Sequence, residues 1–160
     1  FGSGEHETTC SCLETLETLP QVAGAKILDL GSGTGILSIA ALLLGAKKAY
    51  CVDIEEDAVI ACKKNCERNA VSQDVNNFCG TLDCLTEEGF DLILANIYGD
   101  ILLDVAADLV GKTRPGAHIL LSGILWEFNF DVRQCYEKLG CTLVKNRMME
   151  EFSTVLLIKD

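Results

Sequence analysis

An acidic residue followed by three alternating glycines, Asp29-Leu-Gly-Ser-Gly-Thr-Gly35, is the stretch of this sequence best suited to chemistry. The apolar run Lys26-Ile-Leu-Asp-Leu30 leads into it, and a small-residue apolar stretch from Ile36 to Leu44 follows. A strand that ends in glycines and feeds a helix is how α/β folds build a nucleotide crevice. Without Cβ atoms at Gly31, Gly33 and Gly35, backbone can approach a ligand closely. The spacing narrows the ligand further. A dinucleotide fingerprint needs glycine at 31, 33 and 36, and position 36 is Ile, which disfavours a nicotinamide oxidoreductase. A purely structural turn is the plain alternative, although three alternating glycines carry an entropic cost that a turn alone does not require.

Further polar residues fall where such a crevice would need them. Asp53 ends the next apolar run, and an acidic side chain there can accept both hydroxyls of an adenosine ribose; an ordinary exposed carboxylate starting the next helix is the alternative. Asp83, just past the third apolar run, could accept from an adenine amino group or be a simple loop carboxylate. Asp29 is placed to orient the glycine loop or to meet a ligand ammonium. Asn96 closes Leu92-Ile-Leu-Ala-Asn96, and ligands in open α/β sheets bind beyond the carboxyl ends of strands. Its amide oxygen could accept a hydrogen bond from a substrate amine and aim the nitrogen lone pair, or the residue could simply cap a helix. The opening Phe1 to Thr9 combines two glycines with His6, Thr8 and Thr9. It reads either as a loop that folds over a ligand or as a linker-like terminus.

Strands and helices must alternate to hold these positions. Strands are expected at Lys26–Leu30, Lys48–Ile54, Val75–Cys79, Phe90–Ala95 and His118–Ser122, the fourth apolar enough to be buried on both faces. Helices are expected at Ser11–Leu19, capped by Thr8 or Thr9, then at Ile36–Leu44, Asp57–Asn69, Ile101–Val110 and Phe130–Leu139. Gly45 closes the second helix, and Gly111 with Pro115 stops the fourth. Thr142–Met149 and Phe152–Lys159 are separated by too short a turn for a crossover, so they form an antiparallel pair. The expected fold is a doubly wound α/β sheet of seven strands, mostly parallel, with an antiparallel C-terminal strand.

The chain has 160 residues, 49% of them hydrophobic, which suits one domain with a substantial core. No apolar run reaches the roughly 18 residues needed to span a bilayer, so no membrane partner is expected. The formal net charge is −11. Such a surface repels phosphate backbones and argues against direct nucleic-acid binding; a cationic substrate or basic protein partner fits it better, and simple solubility also accounts for it. Nine cysteines are scattered without a Cys-x-x-Cys pair, and only His6 and His118 are histidine. That pattern suits thiols used as small hydrophobes in a reducing cytoplasm, with Cys10, Cys12 and His6 as a minor zinc possibility. The start at Phe1, without Met, reads as that of an excised fragment.

With Asp29 ahead of it, the glycine loop resembles the acidic-x-Gly-x-Gly-x-Gly signature of class I S-adenosylmethionine methyltransferases. The resemblance extends to one family, the bacterial ribosomal protein methyltransferases called PrmA, which modify large-subunit protein eleven. The family opens Phe-Gly-Thr-Gly-x-His-x-Thr-Thr, with Ser3 here in place of its first Thr, and runs into a Leu-Glu-rich helix matched by Cys12-Leu-Glu-Thr-Leu-Glu17. Its loop Gly-Cys-Gly-Ser-Gly-Ile-Leu-Ser-Ile-Ala-Ala is followed from Gly31 to Ala41 with Ser32 and Thr34 changed. Val52-Asp-Ile54, Ala95-Asn-Ile97 and Leu121-Ser-Gly-Ile-Leu125 match further segments, while Phe152, Tyr98 and Gly99 depart from the family pattern. The resemblance implies transfer of methyl groups from S-adenosylmethionine to lysine or N-terminal amines of a basic ribosomal protein. It implies donor contacts at Thr9, Gly31, Asp53 and Asn96, with Asn96 also aligning the acceptor amine. It further implies that residues 1–160 form one methyltransferase domain, the family's N-terminal substrate-recognition domain lying outside this chain. No general base stands out. Trp126 could wall the acceptor channel or simply pack. The alternatives are a related methyltransferase acting on another lysine or small amine, and a non-catalytic S-adenosylmethionine-binding module.

Overall fold

Parallel pairing needs crossovers, and the order of elements supplies them. The computed structural model describes residues 6–160; Phe1 to Glu5, and so most of the anticipated ligand-covering loop, lie outside the described residues. The strands are β1 (Lys26–Leu30), β2 (Lys48–Asp53), β3 (Val75–Cys79), β4 (Phe90–Asn96), β5 (Thr113–Leu125), β6 (Cys141–Met148) and β7 (Phe152–Lys159). The helices are α1 (Glu7–Thr18), α2 (Ile36–Leu43), α3 (Glu56–Arg68), α4 (Gly99–Asp104), α5 (Ala106–Gly111) and α6 (Trp126–Lys138). All seven strands join one sheet in the order β3-β2-β1-β4-β5-β7-β6. Every pairing is parallel except those of β7, which is antiparallel to both β5 and β6. The doubly wound sheet with one antiparallel C-terminal strand is therefore as expected, with β7 set inside the sheet rather than at its edge.

Alternation along the strands makes two cores. On β4, Leu92 and Leu94 join Cys12, Leu16, Leu37 and Cys62 on the face covered by α1, α2 and α3. Ile93 and Ala95 join Leu102, Leu109, Val132 and Tyr136 on the face covered by α4, α5 and α6. Burial on both faces explains why β4 reads as a continuous apolar run. β1 lies between β2 and β4. The winding reverses there, so the loops leaving β1 and β4 part to opposite faces and open a crevice.

Four local expectations are corrected. Helix α1 begins earlier than Ser11, and its cap is His6, whose ring Nδ1 accepts from the Thr8 N–H at 3.3 Å; Thr8 and Thr9 lie inside the helix and are buried. The helix expected over Ile101–Val110 is two helices interrupted at Val105, where the backbone stands at φ −93° and ψ 0°, a break that apolar spacing does not register. Strand β5 starts at Thr113, not His118. Its register against β4 jumps from Phe90–Thr113 to Leu92–His118, and Pro115 sits in that irregular stretch, where a missing N–H costs no ladder bond. Helix α6 starts at Trp126, directly after β5.

One buried polar contact fixes the crevice-side helix α4 to the rest of its layer. The fully buried Tyr136 on α6 donates its hydroxyl to the Leu102 carbonyl at 2.8 Å. Burial pushes the Tyr136 hydroxyl well above its ordinary titration range, so it remains a donor. Tyr136→Phe should leave a buried carbonyl unsatisfied and lower stability by about 1–3 kcal/mol. Urea unfolding of the variant checks this, with an unchanged midpoint as the contrary result.

Candidate active site

The crevice at the carboxyl ends of β1, β2 and β4 encloses about 420 Å³. Its floor is the glycine loop. The Gly31 and Ser32 N–H groups both donate to the Val52 carbonyl, at 2.7 and 3.2 Å, which bends the chain sharply after β1. Gly31 has φ +71°, and a Cβ there would stand 2.4 Å from Ile97 Cγ2. No side chain fits between the two strand ends, so glycine at 31 is a packing requirement. Gly33 also lines the crevice, whereas Gly35 sits behind it as the cap of α2, against Cys62.

Asp53 holds this loop to the end of β2. Its Oδ2 accepts from the Gly33 N–H at 2.8 Å and its Oδ1 from the Glu55 N–H at 2.9 Å. A carboxylate has about four acceptor positions, so capacity remains for ligand hydroxyls. Asp53 therefore shapes the loop and faces the crevice at once. Ile54, next in sequence, is 67% exposed at the crevice mouth. A large apolar side chain left in water on the crevice rim provides a shelf for a flat, weakly polar ligand group. These apolar walls were missed in the sequence; the signal was an isoleucine directly after a strand-end carboxylate.

Asn96 and Thr9 close the inner end. Thr9 is fully buried on α1, and the Asn96 Nδ2 donates to its Oγ1 at 3.4 Å. Asn96 is 8% exposed and lines the crevice, and its Oδ1 has no partner among the described residues. A buried amide oxygen left without a donor is costly and marks a place where a ligand donor belongs. The expected residues Thr9, Asp29, Gly31, Gly33, Asp53 and Asn96 thus converge. Asp83 does not: it is exposed on the short turn Leu82–Cys84 and lines a separate shallow cavity with Glu88 and Lys112, while its neighbours Thr81 and Leu82 face the crevice. Trp126 is half exposed outside the crevice lining. No group of three metal-ligating side chains occurs among the described residues, so Cys10, Cys12 and His6 form no metal centre.

Beneath the loop runs a buried chain that the sequence did not disclose. The Cys51 thiol donates to Ser38 Oγ at 3.2 Å, and the Ser38 hydroxyl donates to Asp29 Oδ2 at 2.7 Å. Burial pushes the Asp29 carboxyl from its ordinary 3.8 up to about 6; the Ser38 hydrogen bond opposes the rise and the charge of Asp53 adds to it. Asp29 thus holds its proton more tightly folded than unfolded. Its stabilising contribution is present below its ordinary value and is lost as pH rises through about 6. Asp29→Asn, which cannot ionise, should gain stability relative to the parent by up to about 3 kcal/mol between roughly pH 4 and 7. Urea unfolding of both proteins across that range measures the difference, and a difference that stays flat would remove Asp29 as the titrating group.

Comparison with known proteins agrees with this geometry. A family model described as Ribosomal protein L11 methyltransferase (PrmA) matches residues 1–159. The chain is 40% identical over 156 residues to the ribosomal protein L11 methyltransferase of Geobacter sulfurreducens, covering 98% of this chain and 50% of that protein. It is 39% identical over 157 residues to the protein of the same name from Geobacter metallireducens, again covering 98% of this chain and 50% of the relative. The chain therefore spans about half the length of the curated relatives it matches. Among solved structures, the ribosomal protein L11 methylase of Lactobacillus delbrueckii subsp. bulgaricus superposes with a TM-score of 0.90 at 27% identity, covering 99% of this chain and 82% of that one. The magnesium protoporphyrin IX methyltransferase of Synechocystis, solved with bound SAM, shares the fold, with a TM-score of 0.80 at 18% identity over 98% of this chain and 80% of that one. From its glycine loop to its last strand, the chain belongs to the ribosomal protein L11 methyltransferase (PrmA) family.

Proposed function

We propose that this chain is the methyltransferase domain of an enzyme that transfers methyl groups from S-adenosylmethionine to amino groups of ribosomal protein L11, on lysine side chains or the N-terminal amine. The observation that carries the proposal is the unpartnered Asn96 Oδ1 at the inner end of a crevice built from a bare-backbone glycine loop and a strand-end carboxylate. The residues present fit the donor. The loop at Gly31 and Gly33 leaves space for close approach by the methionine portion, and Asp29 lies below it for the ammonium group. Asp53 has acceptor capacity left for the ribose hydroxyls, and Ile54 with Thr81 and Leu82 frames the adenine side.

S-adenosylmethionine, when bound, supplies a methyl group on a sulfonium, which a neutral amine attacks in line. The chain's own residues have to deliver that amine neutral and aligned. A lysine ammonium titrates near 10.4 in water, and the apolar walls from Ile97, Ile101 and Val105 disfavour its charged form. Asn96 Oδ1 accepts one N–H of the amine, turning its lone pair away from the amide and toward the donor. The lining offers no evident general base, since its inner carboxylate, Asp29, is engaged by Ser38. Alignment and desolvation then carry the rate, and alignment alone supplies up to roughly 7–11 kcal/mol.

The partner in this reading is a basic protein, supported by the net charge of −11, which also argues against a nucleic-acid partner. No described helix is long and apolar enough to cross a membrane. The cysteines form no disulfide among the described residues, which supports a cytoplasmic setting.

Calorimetric titration tests the proposal. S-adenosylmethionine and S-adenosylhomocysteine should bind and NAD should not. Asp53→Ala should weaken binding by about 1–3 kcal/mol, since it removes a charged acceptor and loosens Gly33 together. Asn96→Ala should depress single-turnover methyl transfer to ribosomal protein L11 far more than it depresses donor affinity. Binding of NAD in preference to S-adenosylhomocysteine, or full transfer by Asn96→Ala, would overturn the assignment.

A further inference from the structure

The segment Leu121-Ser-Gly-Ile-Leu125 lines no part of the crevice, yet it lies directly behind Asn96. Ser122 is the register partner of Asn96 across the β4–β5 ladder, and the Ile97 N–H donates to the Ser122 carbonyl at 3.1 Å. On the other side of β5 the register against β7 shifts between Leu121 and Ile124, so Ser122 and Gly123 form a bulge. Within it Gly123 adopts φ +77°, and a Cβ there would stand 3.0 Å from Asn96 Oδ1 and 3.0 Å from the Ile97 carbonyl oxygen. The missing side chain is the space against which the Asn96 amide oxygen is seated. The other half of the same amide is held from the opposite layer by Thr9.

We infer that Gly123 and Thr9 are positioning residues that together seat the Asn96 carboxamide at the inner end of the crevice. Thr9 takes the Nδ2 half, and the bulge at Gly123 leaves room for the Oδ1 half without offering it a donor. The inference rests on the proposed role of Asn96 and adds the parts that seat it. It also accounts for the β5 bulge, which turns a bare Cα toward the site from a strand that otherwise serves only the sheet.

A matched pair of glycine substitutions tests it. Gly24 has φ +76°, and a Cβ there would meet nothing within 4 Å. Gly24→Ala therefore carries the same backbone strain as Gly123→Ala without touching the site. Both variants should lose stability. Only Gly123→Ala should shift the Asn96 side-chain amide resonances of the ligand-free protein. It should also slow single-turnover transfer to ribosomal protein L11 by about tenfold to a hundredfold, with S-adenosylhomocysteine affinity little changed. If Gly123→Ala does not fold, Thr9→Val takes its place: it should shift the same resonances and slow transfer, and Thr9→Ser should restore both. Unmoved Asn96 resonances with parental transfer rates in these variants would overturn the inference. Asn96→Ala measured alongside separates the two levels. Parental transfer by Asn96→Ala would sink the role of Asn96 itself, whereas slow transfer there with parental transfer in Gly123→Ala and Thr9→Val would sink only the positioning.

Discussion

Two parallel strands, β1 and β4, lie side by side while their chains leave toward opposite faces of the sheet. Everything at the site follows from how closely those two exits approach. At Gly31 and Ile97 they come so near that a Cβ on the first would overlap a methyl of the second. The glycine loop cannot spread to relieve the contact, because the Gly31 and Ser32 N–H groups are tied to Val52 and the Gly33 N–H is tied to Asp53. The loop is thus fixed by its neighbours on both sides, β2 and β4, and its shape does not depend on a ligand. A binding surface held in this way avoids most of the ordering cost of association.

The same constraint explains which polar groups are occupied and which are left open. Asp53 is committed through both oxygens to backbone N–H groups, yet retains accepting capacity. Asp29 is buried under the loop and answered by Ser38, which is answered in turn by Cys51. Asn96, at the end of the neighbouring strand, is satisfied on its nitrogen alone. The satisfied groups fix the frame, and the Asn96 oxygen is left open for a donor.

Much of this was legible in the residues. The strand-loop-helix pattern around Asp29, the end of β2 at Asp53 and the end of β4 at Asn96 were all readable from apolar runs and their punctuation, because parallel strands buried on both faces leave an unmistakable run. What escaped has physical reasons. The cap of α1 is a histidine, a residue not ranked among the usual caps, so the threonines beside it took its place in the reading. Pro115 looked like a helix stop because a bulge that tolerates it depends on the register of a distant strand. Asp83 was assigned by nearness in sequence, but the turn that carries it points the adjacent Thr81 and Leu82 inward instead. Ser38 and Gly123 act through contacts across elements, which no local spacing encodes.

The position of β7 inside the sheet has its own consequence for assembly of the fold. β6 touches the sheet only through β7, which is made after it and must slide between β6 and β5. During synthesis β6 therefore has no neighbouring strand to pair with, and its exposed edge stays open until β7 has emerged. A chain interrupted before Phe152 would lose two strands at once, together with the Ser122–Thr154 and Asn129–Ser153 hydrogen bonds that fasten the end of β5 and the start of α6. The bulge behind Asn96 would then have lost its antiparallel partner strand. In this fold a strand made after β6 completes the wall behind Asn96.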